Sequence, residues 1–539
     1  MRVRLLVPLL LLLSSIPAFA RPPKLTLFIS VDALGSDLFW RMKPRFKGGL
    51  ALLSTQGAYF PTARYDYAET VTAAGHATLM TGTNPYRHGI VSNRVFNRLS
   101  GKLEPAFADP NHPALEAPLE NTDVSPIALQ AETLGDHLKL NTWGRAKVVS
   151  IAGKGRASIA MGGKLGQAWW FNEAIGRFVT GTYYLKEVPA WMKAFNDKKP
   201  ADAFHAKDWA LLLPPKEYLG TDDRPFEADV YGMGRTFPHP LNGGLTQPGP
   251  QSYAALSSSP MMNELFVQAA KAAIDGEQLG KDDVPDLLAV SFSCFDRTYH
   301  LFGPYSWEAQ DAALRLDKAI GELIGHAERA AGGRANLVVV LSADHGGSAV
   351  PEELAAAGLD GVRVSPDALR EALKKELSDR FKGDFVSSIE ETDVYLDLKA
   401  IADKKLDAAA VRRAAAAFLS KQPDVAFAIA RDDLETAQGQ YAASVRAGYY
   451  PERSGDVLMI LKPFHVLEFE PAGTSHGAPY AYDNEVPVMF LGKGVKPGFN
   501  PAPIRVIDVA PTTAALMEMG EPASSEGSAR AEAMTSTPR

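Results

Sequence analysis

Five side chains able to bind a metal ion lie just beyond short apolar runs of this sequence. Residues 25–31 run into Asp32, and residues 337–341 run into Ser342-Ala343-Asp344-His345. Residues 287–292 run into a segment that carries Asp296 and, four positions on, His300. A fourth run, 147–151, leads to Lys154 and Arg156. Singly, each is weak. An aspartate after a strand commonly caps a helix, and Asp296 with His300 could be an ordinary pair on one helix face. Asp344-His345-Gly346-Gly347 is sharper, because glycines let backbone approach a bound ion closely. Together, carboxylates and imidazoles at three run ends are hard to explain as caps. Their oxygen and nitrogen donors suit zinc, and hydrolytic sites often use two ions about 4 Å apart.

A nucleophile is available between the first and second of these clusters. Small residues after Thr72 predict a helix that stops at Gly82, which places Thr72 at the helix N-terminus. Free N–H groups and the helix dipole there favour an anion such as phosphate. The plainer reading is a threonine N-cap. A threonine hydroxyl attacks poorly unless an ion or base takes its proton. Thr72 and the metal set therefore account for each other.

The elements that must position these groups follow from the same runs. Short branched stretches without alternation read as strands buried on both faces of a parallel sheet. Two more candidates lie at 457–461 and 488–491. Helical patterns fall between, at 126–140, 261–274, 307–331, 365–380 and 408–421. Strands alternating with helices predict an α/β fold: a doubly wound, mostly parallel central sheet flanked by helices. In such sheets ligands bind beyond the carboxyl ends of the strands. The expected division is a signal peptide at 1–20 and a catalytic core in three parts, 21–168, 286–348 and 473–519. Insertions at 169–285 and 349–472 interrupt it and are expected to build a cap over the sheet's edge. A small, polar tail, 520–539, is expected to be disordered.

Composition sets the outer limits. Arg2 and Arg4, a short apolar stretch and the Ala18-Phe19-Ala20 end predict export with cleavage after Ala20. That stretch is shorter than the roughly 20 residues of a bilayer span. A periplasmic or secreted protein without stable membrane association is expected. The chain has 539 residues, is 46% hydrophobic and 22% charged, and carries a net charge of -7 without a basic block. This argues against nucleic acid as a partner. The lone Cys294 excludes an internal disulfide and reads as a buried small hydrophobe.

These residues resemble the alkaline phosphatase superfamily, and within it the bacterial phosphate-irrepressible enzymes with a threonine nucleophile (the PafA type). The resemblance runs through Asp32, 72–82, Pro85-Tyr86-Arg87-His88-Gly89-Ile90, Asn93, Lys154-Gly155-Arg156, 176–184, 296–300, Asp344-His345 and Gly473-Thr474-Ser475-His476-Gly477. It implies two zinc ions. Asp32, Thr72, Asp344 and His345 would surround one; Asp296, His300 and His476 would hold the other. It leaves His76 and His88 as structural residues. Substrate class then rests on Asn93, Lys154 and Arg156. A phosphate monoester carries two charges and three non-bridging oxygens. A neutral amide, a point charge and a planar fork match the oxygens turned away from the metals. Diesterases of the superfamily lack the Lys-x-Arg pair. The expectation is a phosphatase that hydrolyses small phosphate monoesters through a phosphothreonine. The rival readings are a phosphodiesterase or nucleotide pyrophosphatase on the same scaffold, and a non-catalytic, metal-stabilised binding protein. Oligomeric state is left open.

Overall fold

The computed structural model describes residues 21–117, 122–468 and 470–535. The signal-peptide segment and the last residues, 536–539, lie outside the described residues. In chain order, the elements that matter for the site begin with β1 (Leu25–Val31), β2 (Ala58–Arg64), α1 (Thr72–Thr81), β3 (Val148–Ala152), α2 (Gly155–Gly162), β4 (Gln167–Asn172) and β5 (Arg177–Val179). Next come α3 (Met262–Glu277), β6 (Asp286–Phe292), α4 (Cys294–Phe302), α5 (Trp307–Ala330) and β7 (Leu337–Ser342). Last are α6 (Pro366–Phe381), β8 (Val386–Glu390), β9 (Asp393–Leu396), α7 (Ala408–Leu419), β10 (Val425–Ala430), β11 (Val457–Leu461) and β12 (Glu485–Gly492).

A 10-stranded mixed sheet forms the centre, in the order Gly498–Phe499, β2, β12, β7, β1, β6, β3, β4, β5, with Ile504–Arg505 beside β2. Strands β7, β1, β6, β3 and β4 are mutually parallel. β12 and β5 run against their neighbours. Every residue of β1, β6 and β7 is buried, which explains their unbroken apolar sequences. Helices α3, α5 and Gly49–Gln56 cover one face; α1, α2 and Val509–Leu516 cover the other. The fold class is as expected: α/β, mostly parallel at its centre, flanked by helices.

Register is what builds the site. Ser30 of β1 lies opposite both Ser291 of β6 and Ser342 of β7, and Ser291 lies opposite Ala152 of β3. The residues that follow these four strands therefore emerge side by side at one sheet edge.

Several boundaries differ from expectation. β4 and β5 extend the central sheet and α3 packs on it, so the cap cannot begin at residue 169 or run to 285. Trp169 and Trp170 are core residues of β4, 0% and 3% exposed. β11 joins a separate four-stranded sheet, in the order β8, β9, β11, β10. Helices α6 and α7 cover it around Leu373, Leu377, Val394, Val411 and Leu419. The 126–140 pattern splits into a turn at Pro126–Ala128 and a helix at Leu134–Asn141, because Thr133 and Asp136 form a capping box. The tail is not disordered through its described part, 520–535. Ala533 and Met534 are buried, Val495 pairs with Met534, and the Glu526 amide bonds the Gly82 carbonyl at 2.8 Å.

Candidate active site

Each functional side chain is delivered by a defined element. Thr72 is the first residue of α1; Val71 occupies the cap position and no side chain caps the helix. Thr72 is therefore not an N-cap, and its hydroxyl is turned to other partners. Gly82, with φ +68°, ends the helix in the left-handed conformation that glycine adopts without strain. At Gly75 a Cβ would sit 2.2 Å from the Asp344 carbonyl oxygen. Only glycine lets α1 press this closely on the end of β7. His300 lies one helical turn after Asp296 on α4.

Asp32, Thr72, Asp296, Asp344, His345, His300 and His476 converge. His345 Nε2 lies 3.3 Å from Asp32 Oδ1 and 3.4 Å from Asp344 Oδ2. His300 Nε2 and His476 Nε2 lie 3.3 and 3.7 Å from Asp296 Oδ1. The rings of His345 and His476 stack with centroids 3.7 Å apart. Two clusters have donor atoms close enough to share an ion: Asp32, Asp344 and His345, and Asp296, His345 and His476. His345 thus stands between the two groups rather than in one alone.

The ring orientations suit metal binding. The Nδ1 atoms of His300, His345 and His476 bond the carbonyls of Thr474, Gly346 and Thr70 at 2.7, 2.8 and 2.8 Å. Each imidazole therefore turns Nε2 to the centre, with its tautomer set by a backbone carbonyl. Asp32 Oδ1, Asp296 Oδ1, Asp344 Oδ2 and His345 Nε2 are buried and hydrogen-bonded by no protein group. Orphaned acceptors at this density are costly unless a cation completes them. The residues fit a pair of divalent ions.

Lys154, between β3 and α2, is the polypeptide's own cation here. Its Nζ lies 2.7 Å from Asp32 Oδ2, 2.5 Å from Asp296 Oδ2 and 3.3 Å from Thr72 Oγ1. Burial alone would raise Asp32 and Asp296, but the Lys154 ammonium together with His345 beside Asp32, and with His300 and His476 beside Asp296, outweighs it and holds both below the usual carboxylate range. Burial and the charge on Asp32 push Asp344 up. Burial opposes a charge on His345, yet Asp344 and Asp32 raise it to about 10. Burial and the facing His345 push His476 down. Asn93 Oδ1 accepts the Ala73 amide proton at 3.0 Å, fixing the side chain beside the α1 N-terminus.

The sequence profile of the family described as type I phosphodiesterase / nucleotide pyrophosphatase matches residues 26–479. Alkaline phosphatase PafA of Elizabethkingia meningoseptica is 31% identical over 94% of this chain and 93% of its own length. Alkaline phosphatase PhoV of Synechococcus elongatus is 31% identical, covering 95% and 93%. The crystal structure of wild-type PafA superimposes with a TM-score of 0.89 at 30% identity, covering 95% of this chain and 99% of that one. The chain belongs to this family, on its PafA-like branch.

In this PafA-like chain some supporting residues had no signal in the sequence. Buried Asp123 accepts the Phe107 amide proton at 3.0 Å and the backbone N–H of Arg156, so it anchors the Lys154–Arg156 turn. His76 reaches Asp344 Oδ2 at 3.2 Å, the Thr72 carbonyl at 2.9 Å and Ser291 Oγ at 3.0 Å. Gly346 and Gly347 correct an expectation: they make room for protein, not for an ion. Added Cβ atoms would lie 2.2 Å from the Tyr482 carbonyl oxygen and 2.5 Å from the Tyr299 ring. His88 bonds Thr78 Oγ1 at 3.0 Å, and burial lowers it to about 3. A cleft of about 500 Å³ opens beside the centre, lined by Lys154, Arg156, Asp296 and His300 among others.

Proposed function

We propose that this PafA-like chain is an alkaline phosphatase that hydrolyses small phosphate monoesters through a phosphothreonine at Thr72, with two zinc ions as cofactors. The observation that carries the reading is Lys154. It touches the Thr72 hydroxyl and both flanking aspartates, and it shares a buried-carboxylate-anchored turn with Arg156. A Lys-x-Arg pair beside the nucleophile suits a dianionic phosphoryl group, whereas a diester has one charge fewer and an organic group in place of one oxygen.

Asp32, Thr72, Asp344 and His345 would hold one ion, and Asp296, His300 and His476 the other. His345 is near enough to both clusters to serve either. When bound, the ions supply Lewis-acid charge that lowers the cost of the threonine alkoxide and of the leaving oxygen. The chain's own residues then do the following. The α1 N-terminus and Asn93 orient the phosphoryl oxygens, and Lys154 and Arg156 neutralise them. Thr72 Oγ attacks phosphorus, the P–O bond to the alcohol breaks, and the departing oxygen takes up a proton. Water then attacks the phosphothreonine, restoring the hydroxyl and releasing inorganic phosphate. Most of the acceleration in such transfers comes from positioning and charge. Because no side chain serves as general base, activity should extend to alkaline pH. Export, with removal of residues 1–20, completes the reading; among the described residues no helix is long and apolar enough to cross a membrane.

The test is a paired assay on purified protein with metal analysis. Monoester turnover should exceed diester turnover. Thr72→Ala should lower it by roughly a thousandfold or more with bound zinc nearly unchanged. Retained turnover would remove Thr72 from its role, and a dominant diester rate would favour the phosphodiesterase reading.

A further inference from the structure

We infer that the cleft beside the reaction centre is a subsite for the alcohol portion of the substrate, built for polyhydroxylated alcohols and read by Glu173 and Arg297. This rests on the monoesterase reading above. In-line attack by Thr72 puts the leaving oxygen on the far side of phosphorus. The cleft of about 500 Å³ is lined by Asp296 and His300 on that side and by Lys154 and Arg156 along the phosphate. Whatever is attached to the leaving oxygen must extend into it.

Its outer wall is an ion pair. Arg297 Nη2 lies 2.7 Å from Glu173 Oε1, and the two side chains are 33% and 29% exposed. Each is held from behind. Arg297 follows Asp296 in the first turn of α4. Glu173 opens the tight hairpin between β4 and β5, which is fixed by the Asn172 side chain accepting the Ala174 amide proton at 2.8 Å and by Gly176, φ +65°. At Gly176 a Cβ would lie 2.3 Å from the Tyr253 ring. The hairpin therefore cannot swing Glu173 away without moving that ring.

The chemistry of this wall selects the ligand. A carboxylate paired with a guanidinium is neutral overall, so it gives no advantage to a second phosphate. It offers an acceptor and several donors side by side, matching hydroxyl groups, each of which donates and accepts. Half-exposed pairs of this kind are weak enough for hydroxyls to insert between them. Aromatic faces are withheld, because Trp170 and Phe171 at the cleft are 3% and 4% exposed. A flat ring on the substrate finds nothing to stack on.

The experiment compares kcat/KM for glucose 6-phosphate with that for phenyl phosphate in the full-length enzyme, in Glu173→Gln and in Arg297→Gln. The ratio of the two should fall about tenfold in each variant, mainly through KM for the sugar ester. A ratio within about twofold of the unaltered enzyme in both variants would overturn the subsite. Should Arg297→Gln lose bound zinc or melt early, Glu173→Gln and Glu173→Ala on the half-exposed hairpin decide alone. If the unaltered enzyme hydrolyses neither ester, the monoesterase reading fails and the subsite fails with it. If it hydrolyses phenyl phosphate while the ratio stays fixed across the variants, only the subsite fails.

Discussion

Lys154 has two contacts in one position: it balances Asp32 and Asp296, and it stands beside the Thr72 hydroxyl. A buried carboxylate deprived of its partner is expensive, so the lysine should matter to stability as well as to rate. Replacing Lys154 and Arg156 together by alanine should depress monoester hydrolysis by roughly two to three orders of magnitude. Diester hydrolysis should suffer far less. Parallel rates on both substrate types show this directly, and equal losses would mean the phosphate clamp is misassigned. Thr72 was legible beforehand because the small residues after it mark a helix start, and Asp32, Asp296, Asp344 and His345 because each follows an apolar run. His476 follows none, and only a family pattern singles it out. Asp123 and Glu173 could not be read at all. Their parts depend on which side chain lies across a gap in space, and nothing in their local spacing records it. Gly346 and Gly347 misled for a similar reason, since close approach by a loop and by a ligand require the same residue.

At the level of elements, the strands buried on both faces were visible because no solvent-facing position interrupts them. β2 was not visible: it carries Pro61 and a half-buried pattern, and it pairs near the sheet edge beside β12. The contact of α1 with β7 invites a direct test. Gly75→Ala forces a methyl group against the Asp344 carbonyl, and relieving it must displace α1 or Asp344. A loss of ~1–3 kcal/mol in stability is expected, with activity falling further than stability. Urea titration and turnover measured together would check both. The stretch between β5 and α3 offers another handle. Glu227 is buried with both carboxylate oxygens unpartnered, facing Glu308, Arg224 and Glu353. Burial and Glu308 push it up to about 9. Since its folded value lies above its unfolded one, the native state holds a proton that the unfolded state has released between about pH 4.5 and 9. Stability must therefore decline as pH rises through that window. In Glu227→Gln the melting temperature should fall less between pH 6 and pH 9 than in the unaltered protein; identical slopes would show that Glu227 does not titrate there.

For the molecule as a whole, the C-terminal segment changes the picture drawn from composition. Most of its residues are small and polar, so their order derives from what they lie on and from the buried Ala533 and Met534. At Gly527 a Cβ would sit 2.0 Å from the Ile507 carbonyl oxygen, and the Glu526 side chain bonds Thr83 and Tyr86 next to α1. The segment straps Val509–Leu516 to the α1 helix that begins with Thr72. Removing residues after 520 should lower the melting temperature by several degrees, on the order of a 1–3 kcal/mol loss, and reduce turnover. Differential scanning calorimetry with an activity assay would measure both; an unchanged melting temperature would show the strap to be idle.

One feature of the central sheet bears on how such a protein comes into being. The side chains of its candidate site are contributed from Asp32 near one end of the chain to His476 near the other, and β1 pairs with β6 and β7, and β2 with β12, across long stretches of sequence. A polypeptide still on the ribosome holds Thr72 and Asp32 for most of its synthesis without the side chains that surround them in the fold. Contacts of such long sequence separation form late and slowly. Hydrolytic capacity therefore depends on these long-range contacts closing, and a fragment that lacks Asp32 or His476 is expected to lose it.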